Sequence, residues 1–254
     1  MYRFFLKDKK PEGNTVLISG GDAHHIRDVL RMRPGEVFLL ACGDEWEYTC
    51  EIESLSEEGV TAIITDAQKP GKELSSKIIL LQCLPKHDKM ETVIQKAVEL
   101  GAAEIVPVAS SRCVAKLNES KAATRIKRWN AISESAAKQA KRMIIPPVHE
   151  VLSFTNALNY VQGMTGSDLS EKPILLMPYE NAQNMSDTRR CLSCIRPGQT
   201  VAVLIGPEGG FSEEEVKEAQ EKGFYSISLG KRILRTETAG MTILSILMYL
   251  LEEN

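Results

Sequence analysis

From Ile78 onward the chain alternates apolar runs with stretches of helical spacing, and that alternation constrains its fold more than any other feature. Ile78 to Leu84 reads as one apolar run, as a strand buried on both faces requires. Met90, Val93, Ile94, Ala97 and Val98 follow at the spacing of a helix face, and Gly101 marks its end. Ile105 to Val108 is a second strand, so the segment is a β-α-β unit, which builds parallel sheet. A long helix is predicted over Glu119 to Arg142, with Ile126, Trp129, Ala136, Ala140 and Met143 inward and Pro146-Pro147 barring its extension. Further strands are Ile174 to Met177, Thr200 to Ile205 and Tyr225 to Leu229, and Ala239 to Glu252 is a final, largely buried apolar helix. The fold class is α/β.

The first seventy or so residues keep a different rhythm. Trp46, Tyr48, Cys50 and Ile52 alternate with Glu45, Glu47, Thr49 and Glu51, the period of a strand with one buried face. Val37 to Ala41 precedes it across a Gly43-Asp44 turn, and Val60 to Thr65 continues the β pattern. Asp66 to Glu73, with Pro70-Gly71 at its centre, is the expected linker, dividing the chain into domains at 1–72 and 73–254. One short helix begins near Asp22, with Ile26, Val29 and Leu30 inward and His24, Arg27 and Arg31 on the opposite face. That basic stripe suits phosphate contact and suits plain solvent exposure equally well. A metal site on His24 and His25 is the weaker reading, because adjacent helical residues point ~100° apart.

Several classes are set aside. The run Ala239 to Leu251 is broken by Thr242 and Ser245 and falls short of the ~20 residues that span a bilayer. The N-terminus has no signal-peptide core, so a cytoplasmic location is expected. Cys191 and Cys194 form a lone pair where structural zinc needs about four ligands, and no metal is expected. A net charge of −3 does not resemble a nucleic-acid binder. Charge is segregated, however: Lys121, Arg125, Lys127, Arg128, Lys138, Lys141 and Arg142 face only Glu134 between residues 121 and 142. By itself that segment is as much a solvated helix face as a binding surface.

Three strands in the second half run into loops of unusual composition, and ligands of open α/β sheets bind beyond the carboxyl ends of strands. The loops are Leu176 to Glu180, Ile205 to Phe211 and Leu229 to Thr238. After the second, Ser212 and Glu215 form a capping box. Gly206, Gly209 and Gly210 allow close approach to a ligand, although their spacing matches neither dinucleotide nor P-loop fingerprints. Glu208, Glu213, Glu214 and Glu215 disfavour an anion there and are compatible with a positively charged ligand such as a sulfonium. In the third loop Lys231, Arg232 and Arg235 crowd beside Glu237. They read as a site, with a structural Arg235–Glu237 ion pair as the alternative.

At these loops the sequence resembles the knotted methyltransferase superfamily called SPOUT and, more narrowly, the ribosomal RNA small subunit methyltransferase E family. The residues that carry the resemblance are Gly206 to Ser212 and Leu229 to Ala239. Supporting matches are Arg3-Phe4-Phe5, His24-His25 with Val29-Leu30-Arg31, Lys89-Met90 through Glu99-Leu100-Gly101, and Gln139 with Arg142. The resemblance implies an N-terminal PUA-like small β-barrel for RNA, then a homodimeric α/β domain with a C-terminal trefoil knot. It implies S-adenosylmethionine as cofactor and N3 of a uridine in the decoding region of 16S rRNA as target, on the assembled 30S subunit. Neither membrane nor DNA is an expected partner. Arg232, Arg235 and Glu237 are the expected catalytic residues, with Arg232 or Arg235 stabilising charge on the base and Glu237 orienting that arginine or acting as base. Leu204, Ile205, Gly206, Glu208, Gly209, Leu229, Gly230, Ile233, Leu234 and Arg235 are expected to hold the cofactor. RNA contacts are expected from Arg3, His24, Arg27, Arg31, Lys86, Lys89 and Arg142. Two other readings stay open: a knotted enzyme acting on a different rRNA or tRNA nucleotide, and a non-catalytic RNA-binding assembly protein.

Overall fold

Period-two alternation near the N-terminus builds one sheet, and the apolar runs beyond it build another. The computed structural model describes residues 1–6, 11, 13–43, 45–114, 119–164, 172–182 and 184–252; Asp44, in the expected Gly43-Asp44 turn, lies outside them. Residues 1–73 with 137–145 make one unit, and residues 74–136 with 146–254 make the other.

In the first unit, β1 (Arg3–Phe5), β2 (Thr15–Ile18), β3 (Val37–Ala41), β4 (Glu47–Leu55) and β5 (Val60–Gln68) form a sheet ordered β1-β3-β4-β5-β2. Only β1 and β3 pair in parallel among these neighbours. Phe4, Val16, Ile18, Ile26, Phe38, Leu40, Cys50 and Ile52 fill its core. The alternation of β4 slips at a register shift between Thr49 and Cys50, as a bulge produces. Glu47, expected outward, is therefore buried at 5% exposure, and Trp46, expected inward, is 38% exposed. Asp66 to Gln68, expected in the linker, pair with Thr49 to Glu47 and prolong β5.

The short helix also departs from expectation. It starts after Ser19 as α1 (Gly20–His24) and passes into a π-helical turn over His25–Val29, where the Leu30 N–H donates to the His25 carbonyl at 2.9 Å. A π turn is wider than an α turn, so a projection at 100° per residue fails. Ile26 stays buried while Val29, expected inward, is 61% exposed.

The second unit holds β6 (Ile78–Cys83), β7 (Glu104–Ala109), β8 (Leu152–Ser153), β9 (Ile174–Pro178), β10 (Val201–Ile205) and β11 (Tyr225–Ile227). All neighbours are parallel, in the order β11-β9-β10-β6-β7-β8. Helix α2 (Lys89–Glu99) buries the five apolar residues its spacing predicts. Helix α3 (Glu119–Gln139) stops three residues before Arg142, because Lys141 turns left-handed at φ 57° and the Arg142 N–H reaches back to Ala137. Pro146-Pro147 lie beyond that stop. Helices α4 (Phe154–Gln162) and α5 (Met185–Ser193) were not anticipated; Ser153 and Asn184 cap them. Helix α6 (Glu213–Glu221) follows the second loop, and α7 (Thr236–Leu251) starts three residues before Ala239, with Arg235 at its N-cap. Among described residues no helix is long and apolar enough to cross a membrane.

Packing uses both faces of this sheet. Ile79, Leu81, Cys83, Met177 and Leu204 share a core with α4 residues Phe154, Ala157 and Leu158 and α6 residues Val216 and Ala219. Helix α2 packs against α7. Since β11, β9 and β10 are parallel neighbours, their carboxyl ends share one edge, and the three loops of interest leave the sheet together.

Candidate active site

Those three loops enclose a cavity of about 460 Å³. Ile205, Gly206, Glu208 and Gly209 line it from the second loop. Leu229, Gly230, Arg232, Ile233, Leu234 and Arg235 line it from the third. Leu204, expected at the cofactor, is instead buried in the apolar core, since the residue before Ile205 on a strand points to the opposite face. Glu237 is not a lining residue but occupies the first turn of α7. Tyr179, Glu180, Phe211 and Thr236, whose loops but not whose side chains had drawn attention, also line the cavity, as does Ser228 from the strand expected over Tyr225 to Leu229.

Neighbouring side chains leave little room for a Cβ at the glycines of the second loop. A Cβ on Gly206 would stand 3.1 Å from the Phe211 ring, which packs edge-on against Phe154. One on Gly209 would stand 3.2 Å from the Arg112 side chain, whose guanidinium donates to the Gly209 carbonyl at 3.1 Å. Gly210 sits at φ +66°, where its Cβ would lie 2.7 Å from a Glu180 carboxylate oxygen. The expected capping box forms: Ser212 Oγ accepts from the Glu215 N–H at 3.2 Å, and Glu215 Oε2 accepts from the Ser212 N–H at 3.0 Å. Glu215 Oε1 accepts from the Ser111 N–H at 2.7 Å. The start of α6 thus carries its own carboxylate, which leaves no ready place for an anion there.

Charge at the cavity's edge is organised by Lys89. Its Nζ lies 3.0 Å from Glu208 Oε1 and 3.2 Å from Glu237 Oε2. The Lys86 N–H also donates to Glu208 at 3.2 Å. The hydrogen bond to Glu208 raises the Lys89 ammonium above its usual value against the opposing effect of burial, with Glu237 adding to the rise. Burial pushes the Glu208 carboxyl up, but the bond from Lys89 and backbone N–H donors outweigh it and hold the group below its ordinary value. Glu237 Oε2 is within ion-pair distance of Lys89 yet lacks a partner in hydrogen-bond geometry. The Arg235–Glu237 ion pair considered from sequence does not form, because Glu237 faces Lys89. The guanidinium groups of Arg232 and Arg235 are exposed at the rim, with no hydrogen bond or ion pair to a described residue.

The expected RNA contacts divide. His24 and Arg27 share Asp28, at 2.6 Å and 3.0 Å, and Arg27 also donates to the Ser56 carbonyl at 2.8 Å. Both stay at the surface, and Arg31 is exposed with φ 53°. Lys86 is exposed in the second unit. Arg3 and Arg142 differ from expectation. Their side chains are buried, Arg3 paired with Glu47 and Arg142 with Glu73, whose carboxylate also accepts from the Met143 N–H at 2.8 Å. A guanidinium neutralised and buried in this way is unavailable to a phosphate. Lys89, also expected on RNA, is paired instead with Glu208, which lines the cavity, and with Glu237 in the first turn of α7. Among described residues no group of three or more His, Cys, Asp or Glu is arranged to hold a metal ion.

A family model described as RNA methyltransferase domain matches residues 72–248, and one described as RNA methyltransferase PUA domain matches residues 18–65. Over 98% of its length the chain is 34% identical to ribosomal RNA small subunit methyltransferase E of Bacillus subtilis, covering 96% of that protein. It is similar to the crystal structure of a ribosomal RNA small subunit methyltransferase E from Neisseria gonorrhoeae bound to S-adenosylmethionine, with TM-score 0.81, 34% identity and 98% of both chains covered. It is also similar to a protein from Legionella pneumophila described as a methyltransferase in complex with S-adenosylmethionine, with TM-score 0.78, 32% identity, and 97% and 96% covered.

Proposed function

Because this chain belongs to the ribosomal RNA small subunit methyltransferase E family, we propose that it methylates N3 of a uridine in the decoding region of 16S rRNA, acting on the assembled 30S subunit. It is an S-adenosylmethionine-dependent ribosomal RNA methyltransferase. The single observation that carries the residue-level reading is the convergence of three loops on one cavity of about 460 Å³.

The residues present fit such a cofactor on three counts. Gly206, Gly209 and Gly210 line the cavity with backbone alone, and a Cβ on any of them would press on Phe211, Arg112 or Glu180. Glu180 and Glu208 line it, and carboxylates are compatible with a cationic ligand. Ile233 stands 89% exposed at the rim, apolar surface suited to being covered by a ligand. Ile205, Gly206, Glu208, Gly209, Leu229, Gly230, Ile233, Leu234 and Arg235 are the proposed holders. When bound, the cofactor would supply a sulfonium methyl group, whose carbon bonds to the ring nitrogen as its bond to sulfur breaks and the neutral thioether leaves.

The protein's own part is positioning and electrostatics. Near-attack placement accounts for ~7–11 kcal/mol of barrier in well-oriented reactions. Transfer of the uridine N3 proton to solvent water leaves negative charge on the adjacent carbonyl oxygens, and the rim guanidiniums of Arg232 and Arg235 are available to stabilise it, as an oxyanion hole does. Glu237 acts through Lys89 rather than by orienting Arg235. His24, Arg27, Arg31 and Lys86 are the proposed contacts to RNA phosphates. A closed PUA-like barrel at 1–72, a trefoil knot within 73–254, a homodimer and a cytoplasmic location complete the proposal.

The test is methyl transfer onto 30S subunits from a strain lacking the enzyme, with nucleoside mass spectrometry of the product. 3-Methyluridine at one decoding-region position is the expected result. Methylation of another nucleotide overturns the target, and absence of transfer despite cofactor binding overturns the catalytic reading.

A further inference from the structure

We infer that Gln82 is a positioning residue for the cofactor site, acting through Thr236 on the carbonyl of Gly206. This rests on the methyltransferase reading above. Every residue of β6 is buried, and Gln82 is the polar one among Ile78, Ile79, Leu80, Leu81 and Cys83. An amide in such a place must have its hydrogen bonds supplied by the protein. Gln82 Nε2 donates to Thr236 Oγ1 and to the Cys83 carbonyl, each at 2.9 Å. The Thr236 hydroxyl donates to the Gly206 carbonyl at 2.6 Å.

A hydroxyl has one proton. Its donation to Gly206 obliges Thr236 to accept from Gln82, which fixes which end of the amide is nitrogen. Gln82 Oε1 is thereby left buried with no hydrogen-bond partner. A Cβ on Gly240 would stand 3.6 Å from that oxygen and 3.9 Å from Ile205 Cγ1. Stability alone would favour an apolar side chain of the same length, since an orphaned buried oxygen is unfavourable. The amide has a use elsewhere. Gly206 and Thr236 both line the cavity. Through one hydroxyl, Gln82 ties the Gly206–Pro207 peptide of the second loop to the first residue of α7 and to the end of β6. Three segments far apart in sequence are held in register at the site by this relay.

The distinguishing experiment compares stability with cofactor affinity in Gln82→Met. The melting temperature is expected to hold or rise, since the orphaned oxygen is gone. The Kd for S-adenosylmethionine by calorimetry, and its KM in methyl transfer, are expected to rise about tenfold. Thr236→Val is expected to lose a similar factor, the double variant little more, and Thr236→Ser, which keeps the hydroxyl, to bind like wild type. If wild type binds and Gln82→Met binds equally tightly, the inference falls while the methyltransferase reading stands. A parallel loss of melting temperature and affinity also overturns it, because that marks a merely structural residue. Wild-type protein that fails to bind S-adenosylmethionine overturns the methyltransferase reading itself.

Discussion

Lys89 carries one positive charge between two carboxylates, at 3.0 Å and 3.2 Å. Removing the ammonium leaves Glu208 and Glu237 facing each other without a counter-ion, next to the cavity. Lys89→Met is therefore expected to lower kcat/KM for methyl transfer about tenfold or more, with the fold retained by circular dichroism. Adding Glu237→Gln removes one of the repelling charges without touching a proposed cofactor holder and should recover part of the loss; a double variant worse than the single would reject the arrangement. A second charge cluster lies away from the cavity residues. A hydrogen bond from His149, with others from Lys77 and Tyr160, holds the Glu104 carboxyl at about 2 against an ordinary 4.5, although burial opposes it. The folded state is thus stabilised above pH 4.5, and that contribution fades as pH falls towards 2. Glu104→Gln should be less stable than wild type at pH 7, by on the order of 2 kcal/mol, with the gap closing in acid. Urea denaturation across pH 2 to 7 checks this, and a pH-independent gap would rule it out.

At the scale of elements, the glycine-rich loop depends on the helix that follows it. Ser212 closes a two-way capping box with Glu215, and Glu215 is tied further to the Ser111 N–H. Ser212→Ala removes the acceptor for the Glu215 N–H and should cost about 1 kcal/mol, seen as a drop of about 2–4 °C in melting temperature. An unchanged melting temperature would mean that tertiary packing, not the cap, holds this end of α6. The cap was legible from two residues three apart, as were the buried stripe of α2 and the strand ends that open into the cavity. Other elements were not. The bulge in β4 and the π turn after α1 shift the phase of a pattern without leaving a mark in composition, so Glu47 and Val29 came out on the wrong faces. Gln82 was hidden within a run that reads as apolar, and the polar residue in such a run was itself the missed signal.

For the whole molecule, the parallel order β11-β9-β10 decides where chemistry is possible, because it brings three carboxyl ends to one edge. The last helix of the same unit presents Tyr249 at 82% and Leu250 at 44% exposure. Large apolar side chains left in water on a helix otherwise packed inward suit the proposed second copy of this chain. Sedimentation velocity is expected to show a dimer for wild type and a shift towards monomer for Tyr249→Arg, with secondary structure unchanged. A wild-type monomer at micromolar concentration would reject it.

What the amino-acid order determined unaided was whatever depends on near neighbours: the helical stripe of α2, the caps, the glycine turns and the alternation of strand and helix that makes the class α/β. Those follow from backbone geometry within a few residues. Only the tertiary structure decided the partners of charged and polar groups. Lys89 meets Glu208 across 119 positions, and Gln82 meets Thr236 across 154. Arg3 and Arg142 were withdrawn from the surface by Glu47 and Glu73. An ion pair or a buried hydrogen bond is set by distance in space, and sequence spacing carries almost no information about that distance once the chain has crossed a sheet.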